Sequence, residues 1–345
     1  MRTRILQARY INWKLLAFAI FSFLISAAIC FIGLEIVIRI MGAEPFRYQD
    51  TNRESKIMEE DPVLGWKNKP GVYTKWPNGW SGGKNIKVTI WPDGQRATAP
   101  LRIKKDKQII IIGCSFMQGW ALNDNETFAW KLQENFPETE ILNYGTGGYG
   151  TYQSLLLLER YLANSYEPPI MVLYGLGSFH LDRNVAAIHF LKKLTILGKR
   201  GHVFLPYCSI NGKGILRRNS PLKYPLYPLD EYSAPFNLLH TRYLTMMSHS
   251  RVSRRVDVMK KLLLEMNILC RNKGSRLVVL LLDEKIFNGK KEYFSSNNID
   301  YIDCSIPENM ALDLKVKGEG HPSSVVNSYW ASCVTKYLKK EFFAN

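Results

Sequence analysis

Three short stretches carry the residue types of nucleophilic catalysis. In Ile112-Gly113-Cys114-Ser115-Phe116-Met117-Gln118-Gly119 a serine stands directly after an apolar run and between glycines. On a tight turn that opens a helix, backbone N–H groups would point at the serine oxygen, as a nucleophile and its oxyanion require. A helix-capping serine has the same local pattern. In Asn143-Tyr144-Gly145-Thr146-Gly147-Gly148-Tyr149-Gly150 four glycines expose backbone amides that could hold an oxyanion. This stretch lacks the Lys-Ser/Thr of a phosphate-binding loop and the spacing of a dinucleotide fingerprint, so nucleotide binding fits poorly. In Gly318-Glu319-Gly320-His321-Pro322-Ser323 a histidine is held on a loop, with a carboxylate two residues earlier that could orient the ring and fix its tautomer. Five other histidines occur, and His321 stands apart from them by following the last strand-like segment.

The elements that must position these groups can be read from the apolar pattern. Ile109 to Ile112 is a β-branched run bounded by Gly113, as expected of a strand buried on both faces. Further strands are expected over 140–143, 170–174, 277–282 and 300–303. Helices are expected over 127–136, 151–162, 184–197, 251–270 and 325–342. Strand–helix alternation with apolar strands implies a parallel sheet covered on both faces, and right-handed crossovers make it a three-layer α/β/α sandwich. Functional groups then collect at the carboxyl ends of the strands. Residues 106–345 form this domain. Residues 200–245 interrupt it with five prolines and many tyrosines, the composition of an insertion or lid. Residues 41–105, with short β-like runs and turns such as Pro92-Asp93-Gly94, read as a stalk or small β-rich lobe.

Leu15 to Leu34 is a run of 20 residues without a charge, enough to cross a hydrocarbon core about 30 Å thick. Residues 15–40 are therefore expected to be one retained transmembrane anchor and residues 1–14 a cytoplasmic tail. Arg2, Arg4, Arg9 and Lys14 precede the run without an acid, which keeps the N-terminus cytoplasmic and translocates the rest. A cleaved signal peptide would have a shorter apolar core, and Ile29 is too bulky for a lipoprotein box ending at Cys30. The chain carries 46 basic and 30 acidic residues, a net charge of +16. Such a surface favours anionic glycans or lipid head groups, or is merely solvated. Nucleic acid is not expected on the translocated side. The six cysteines show no metal spacing. Cys270, Cys304 and Cys333 lie on core-like segments and are expected to be buried free thiols.

In this order, the three stretches resemble the signature blocks of the SGNH (GDSL) hydrolase superfamily. Gly113-Cys114-Ser115 resembles its Gly-Asp-Ser block, Asn143-x-Gly145-x-x-Gly148 its second block, and Glu319-Gly320-His321-Pro322 its last. Upstream, Asp61-Pro62-Val63-Leu64-Gly65-Trp66-x-x-x-Pro70-Gly71 is similar to a segment preceding the domain in many membrane-anchored bacterial members. The resemblance implies a flavodoxin-like five-stranded sheet and an acyl-enzyme mechanism. Ser115 would be the nucleophile, His321 the base and Glu319 the orienting acid, with Asp313 as second candidate. The oxyanion would rest on the amides of Ser115 and Gly148. It implies no cofactor or metal, and an inner-membrane protein whose domain faces the periplasm or exterior. The substrate would be an ester, with acylated envelope polysaccharide the expected class, cleared by water or passed to a sugar hydroxyl.

This chain departs from the pattern in four ways. Cys114 replaces an aspartate, and a thiol nucleophile is the minor alternative. Glu319 replaces an aspartate. The third block reads Gly175-Leu176-Gly177-Ser178-Phe179-His180 and lacks its oxyanion asparagine, for which Asn184 or the His180 ring is the substitute considered. His180, Arg183 and Asn184, with Asn143, could bind substrate or could cap a helix. The alternative function is a catalytically degenerate module that binds glycan or a partner in polysaccharide assembly.

Overall fold

The computed structural model describes residues 13–48, 57–74, 85–197, 203–306, 314–317 and 320–343. In chain order the elements are α1 (Trp13–Ile40), β1 (Met58–Asp61), β2 (Gly65–Asn68), β3 (Gly71–Tyr73), β4 (Val88–Ile90), β5 (Gln108–Ile112), α2 (Ser115–Gln118), α3 (Phe128–Asn135), β6 (Glu140–Asn143), α4 (Thr151–Asn164) and β7 (Met171–Leu176). There follow α5 (His180–Asn184), α6 (Ile188–Leu197), β8 (Leu205–Ile210), β9 (Leu216–Leu222), α7 (Pro228–Tyr232), α8 (Ala234–Val252), α9 (Arg255–Asn272), β10 (Arg276–Leu281), α10 (Lys290–Ser296), β11 (Asp300–Asp303) and α11 (Ser324–Phe343). The chain divides into two units, one of Met1–Arg47 with Pro225–Met246 and one of Tyr48–Tyr224 with Met247–Asn345.

The second unit is built on a five-stranded parallel sheet in the order β11-β10-β7-β5-β6. Numbered along the sheet's own strands this is 2-1-3-4-5 from one edge, so the order reverses between β5 and β7, where a crevice opens at the strand ends. Alternation along each strand feeds two apolar layers. Ile110, Ile112, Val172 and Val279 pack against Leu155 and Leu158 of α4 and Leu262 and Met266 of α9. Ile109, Ile111, Leu173 and Val278 pack against Phe128 and Leu132 of α3 and Trp330 and Val334 of α11. All four isoleucines of β5 are fully buried, each contributing about 1.5–3 kcal/mol through loss of water contact. The three-layer sandwich expected from the sequence is therefore present.

Two hairpin-like pairs precede the sheet, β1 with β2 and β3 with β4, both antiparallel. Bridges from Arg96 to Ile90 and to Asn143 join this small β region to β6. The insertion begins as a hairpin of β8 and β9. One expectation is corrected. Cys304 and Cys333 are not free thiols but a disulfide, with Cα atoms 6.1 Å apart. Cys304 lies just past β11 and Cys333 on the α11 face that packs there, a proximity with no local signature in the sequence. Cys270 is a buried free thiol, as expected.

In the first unit α1 has 28 residues, about 42 Å of helix, and none of its side chains is buried. Near its end Glu35 accepts hydrogen bonds from Ser233 Oγ and the Ala234 amide, both at 3.0 Å, and pairs with Arg39 at 2.6 Å. Asp230, fully buried, pairs with His240 Nδ1 at 2.9 Å. Asn237 donates to the Glu44 carbonyl, and the Phe46 amide to that of Asp230.

Candidate active site

Ser115 opens α2 immediately beyond β5, at the reversal of strand order. The turn is possible because Gly113 has φ of +143°, and a Cβ there would meet Met117 Cγ at 2.8 Å. As the first helical residue, Ser115 has an amide that no intrahelical bond requires. Its Oγ lies 2.8 Å from Nε2 of His321, a residue 206 positions later. His321 sits in a backbone turn in which the Val316 amide donates to the His321 carbonyl and Gly320 to Val316. Its ring lies 5.7 Å from that of Phe116 and 6.0 Å from that of Trp120, and Phe179 packs edge-on against Phe116 at 5.0 Å. Ser115 itself is 6 % exposed and His321 is half-buried, with aromatic rings beside the hydroxyl–imidazole pair.

The glycine loop after β6 packs on this turn. The Thr146 amide donates to the Gly113 carbonyl at 3.0 Å, and a Cβ on Gly145 would collide with the Gln118 backbone. Gly148 has φ of +81°, and Trp66 lies against its Cα. β2 clamps the loop from the other side. Trp66 Nε1 donates to the Gly147 carbonyl at 2.7 Å, Asn68 Nδ2 to that of Gly145 at 3.0 Å, and the Tyr149 hydroxyl to that of Trp66 at 2.5 Å. Gln118 Nε2 donates to Asn68 Oδ1, closing the link back to α2. Buried Arg96 holds the end of the same turn, donating to the carbonyls of Gln118, Gly119 and Leu122 and lying 3.4 Å from Asp124.

Thus Ser115, His321 and the Gly148 loop converge. Glu319 and Asp313 lie outside the described residues. Asn143 is fully buried, donating to the Met117 carbonyl and accepting from the Gly145 amide, so it braces both the serine turn and the glycine loop. Asn184 Oδ1 accepts from the Tyr152 amide and its Nδ2 donates to Thr151, at the start of α4. His180 is fully buried with Nδ1 2.9 Å from the Tyr174 hydroxyl, and burial holds its pKa well below the usual imidazole range. Arg183 donates to the Tyr149 carbonyl and lies over the Phe179 ring at 4.5 Å. Cys114 points inward, fully buried, with Sγ accepting from the Phe116 amide, and burial pushes its thiol up. A neutral, enclosed thiol is a poor nucleophile.

Sequence reasoning missed Trp66, Asn68, Arg96 and Asp283. Asp283, just beyond β10, accepts from the Ser178 amide at 2.7 Å and fixes the loop of the altered third block. Trp66 and Asn68 lay in the upstream stretch already singled out, Asn68 at one of its unspecified positions.

No protein-family profile and no curated protein matches the chain. Among solved structures it is similar to a lipolytic protein of the G-D-S-L family from Veillonella parvula, at 13 % identity over 69 % of this chain and 99 % of that one, TM-score 0.41. It is also similar to TesA, at 13 % over 68 % and 98 %, TM-score 0.37. AlinE4, an SGNH-hydrolase family esterase, is similar at 14 % over 70 % and 99 %, TM-score 0.33.

Proposed function

We propose that this chain is a serine ester hydrolase of the SGNH type. The reading is carried by one observation, the 2.8 Å contact between Ser115 Oγ and His321 Nε2 at the carboxyl end of β5. His321 Nε2 accepts the serine proton as Oγ attacks the ester carbonyl, and the imidazolium then protonates the leaving alcohol. The amides of Ser115 and Gly148 receive the developing oxyanion, and Glu319 orients the ring. Water, activated by the same imidazole, clears the acyl-enzyme. The apolar rings of Phe116, Trp120 and Phe179 strengthen each of these electrostatic contacts. Asn143, His180, Arg183 and Asn184 shape the loops around the ester.

The finer assignment is an acyl ester of envelope carbohydrate, with transfer to a sugar hydroxyl as the counterpart of hydrolysis. Three features support it: the uncharged run of α1 as a retained anchor, the basic excess, and the disulfide, which suits an oxidising compartment outside the cytoplasm. A fluorophosphonate probe should label the full chain at Ser115. Ser115→Ala should abolish labelling, and His321→Ala should slow it at least about 10³-fold. A folded chain that neither takes the probe nor hydrolyses any ester, but binds glycan, would instead establish the degenerate module.

A further inference from the structure

The first unit contains a second apolar surface besides the anchor. In α8, Leu239, Tyr243 and Met246 recur at helical spacing with Arg242 between them, and they are 66 %, 54 % and 67 % exposed. Leu229 and Tyr232 of the preceding α7 are exposed as well. The opposite face of α8 is engaged within the unit, through Asn237 to the Glu44 carbonyl and His240 to buried Asp230. The exposed stripe is therefore not a core face waiting to pack against its own unit.

The bonds to α1 say what covers it. Glu35 is the first charge after the 20-residue run Leu15–Leu34, which by itself matches a hydrocarbon core of about 30 Å. Glu35 therefore lies where hydrocarbon gives way to head groups. Its carboxylate is the acceptor for Ser233 Oγ and the Ala234 amide, the first turn of α8, where a negative charge also offsets the helix dipole. So α8 starts at that boundary. Leucine and methionine beside tyrosines and an arginine on this exposed face are the residue types that sit at head-group level, aromatic rings in the interface and a cation toward phosphate.

We propose that residues 229–246 are a membrane-surface element. Leu229, Tyr232, Leu239, Tyr243 and Met246 seat in the interfacial zone of the bilayer that α1 crosses, and Arg242 meets lipid phosphate. Glu35 is the tie that holds this element to the anchor. The proposal rests on α1 being a retained membrane span, and it is independent of the acyl chemistry.

The test uses the full chain in nanodiscs carrying a diazirine-tailed phosphatidylglycerol among ordinary lipids, with adducts mapped by mass spectrometry. Adducts are expected on α1 and also on peptides covering 229–246. Substituting Leu239→Glu, Tyr243→Glu and Met246→Glu together should lower adducts on 229–246 at least about tenfold while those on α1 persist, since one buried apolar side chain is already worth about a factor of ten. All three positions face outward, and an unchanged near-ultraviolet dichroism spectrum verifies the fold. Adducts on α1 with none on 229–246 overturn the surface element and leave the anchor standing. Adducts on neither overturn both. Protein dimers in the nanodisc that the triple glutamate substitution abolishes, without lipid adducts on 229–246, also overturn it, by assigning the stripe to a second copy.

Discussion

The two partners of the 2.8 Å contact are held by different means. On the serine side, buried side chains from distant segments fix the backbone: Arg96 on the end of α2, Asn143 between Met117 and Gly145, Trp66 and Asn68 on the glycine loop. On the histidine side, backbone bonds among residues 314–317 and 320–323 shape the turn, and the rings of Phe116 and Trp120 lie against the imidazole. Those rings flank the serine turn itself. His321 is therefore registered against the helix that Ser115 opens, whereas the glycine loop proposed to hold the oxyanion is registered against β2. An oxyanion donor must aim an N–H within tenths of an ångström, and several long-range bonds achieve that. The imidazole that accepts and returns a proton in the proposed mechanism is set by a short turn and two aromatic rings, with Glu319 proposed to orient it.

The largest break in this comparison should come from Trp66. Trp66→Ala removes a buried indole from against Gly148 and should cost about 3–5 kcal/mol, read as a lower denaturant midpoint. Trp66→Phe keeps most of the apolar volume but drops the bond to the Gly147 carbonyl, at about 1–3 kcal/mol. In that variant kcat on a simple aryl ester should fall, up to about 10²-fold, with KM nearly unchanged, because the loss is felt at the oxyanion. Equal kcat in wild type and Trp66→Phe would remove β2 from the positioning of the site. The counterpart on the histidine side is the disulfide, since the Cys304–Cys333 loop contains His321. Cys304→Ala with Cys333→Ala should lower stability by about 2–4 kcal/mol. Fluorophosphonate labelling should slow less than in Trp66→Phe, because the His321 turn retains its own backbone bonds. The opposite ranking would reverse the assignment of rigidity to the two halves.

The strands were legible because a strand buried on both faces writes itself as an uninterrupted apolar run. The expected spans 140–143 and 300–303 coincide with β6 and β11, and β5, β7 and β10 differ from expectation by a residue or two. The helix expected over 184–197 is in fact α5 and α6, broken at Ala186, which adopts φ of +48°. Apolar spacing continues across that break and hides it. Ser115, Gly148 and His321 were legible because turn-forming neighbours mark them. Arg96 and Asn68 were not, since a single polar residue, in a loop or at the end of a short strand, gives no sign that its partners lie on a distant turn. Likewise, residues 200–245 read as one insertion, whereas residues 225–246 group with the anchor segment and bond to its Glu35.

The smallest effect concerns the turn that delivers Trp66 and Asn68. Asp61 closes β1–β2 by accepting from the amides of Val63 and Leu64, and Arg160 of α4 grips its carboxylate at 2.7 and 2.8 Å. Arg160, assisted by those amides, holds the Asp61 pKa at about 2, below the ordinary carboxylate value near 4. Depression in the folded state means that the carboxylate stabilises the fold fully above the unfolded value. The contribution is lost as pH falls from about 4 through about 2. Asp61→Asn should therefore be less stable than wild type at pH 7, and the gap between their urea midpoints should shrink below pH 4 and be smallest near pH 2. A gap that stays constant over this range would mean that the ion pair does not secure the turn. A gap that closes over this interval would tie the turn that carries Trp66 and Asn68 to this one carboxylate, with Arg160 as its partner.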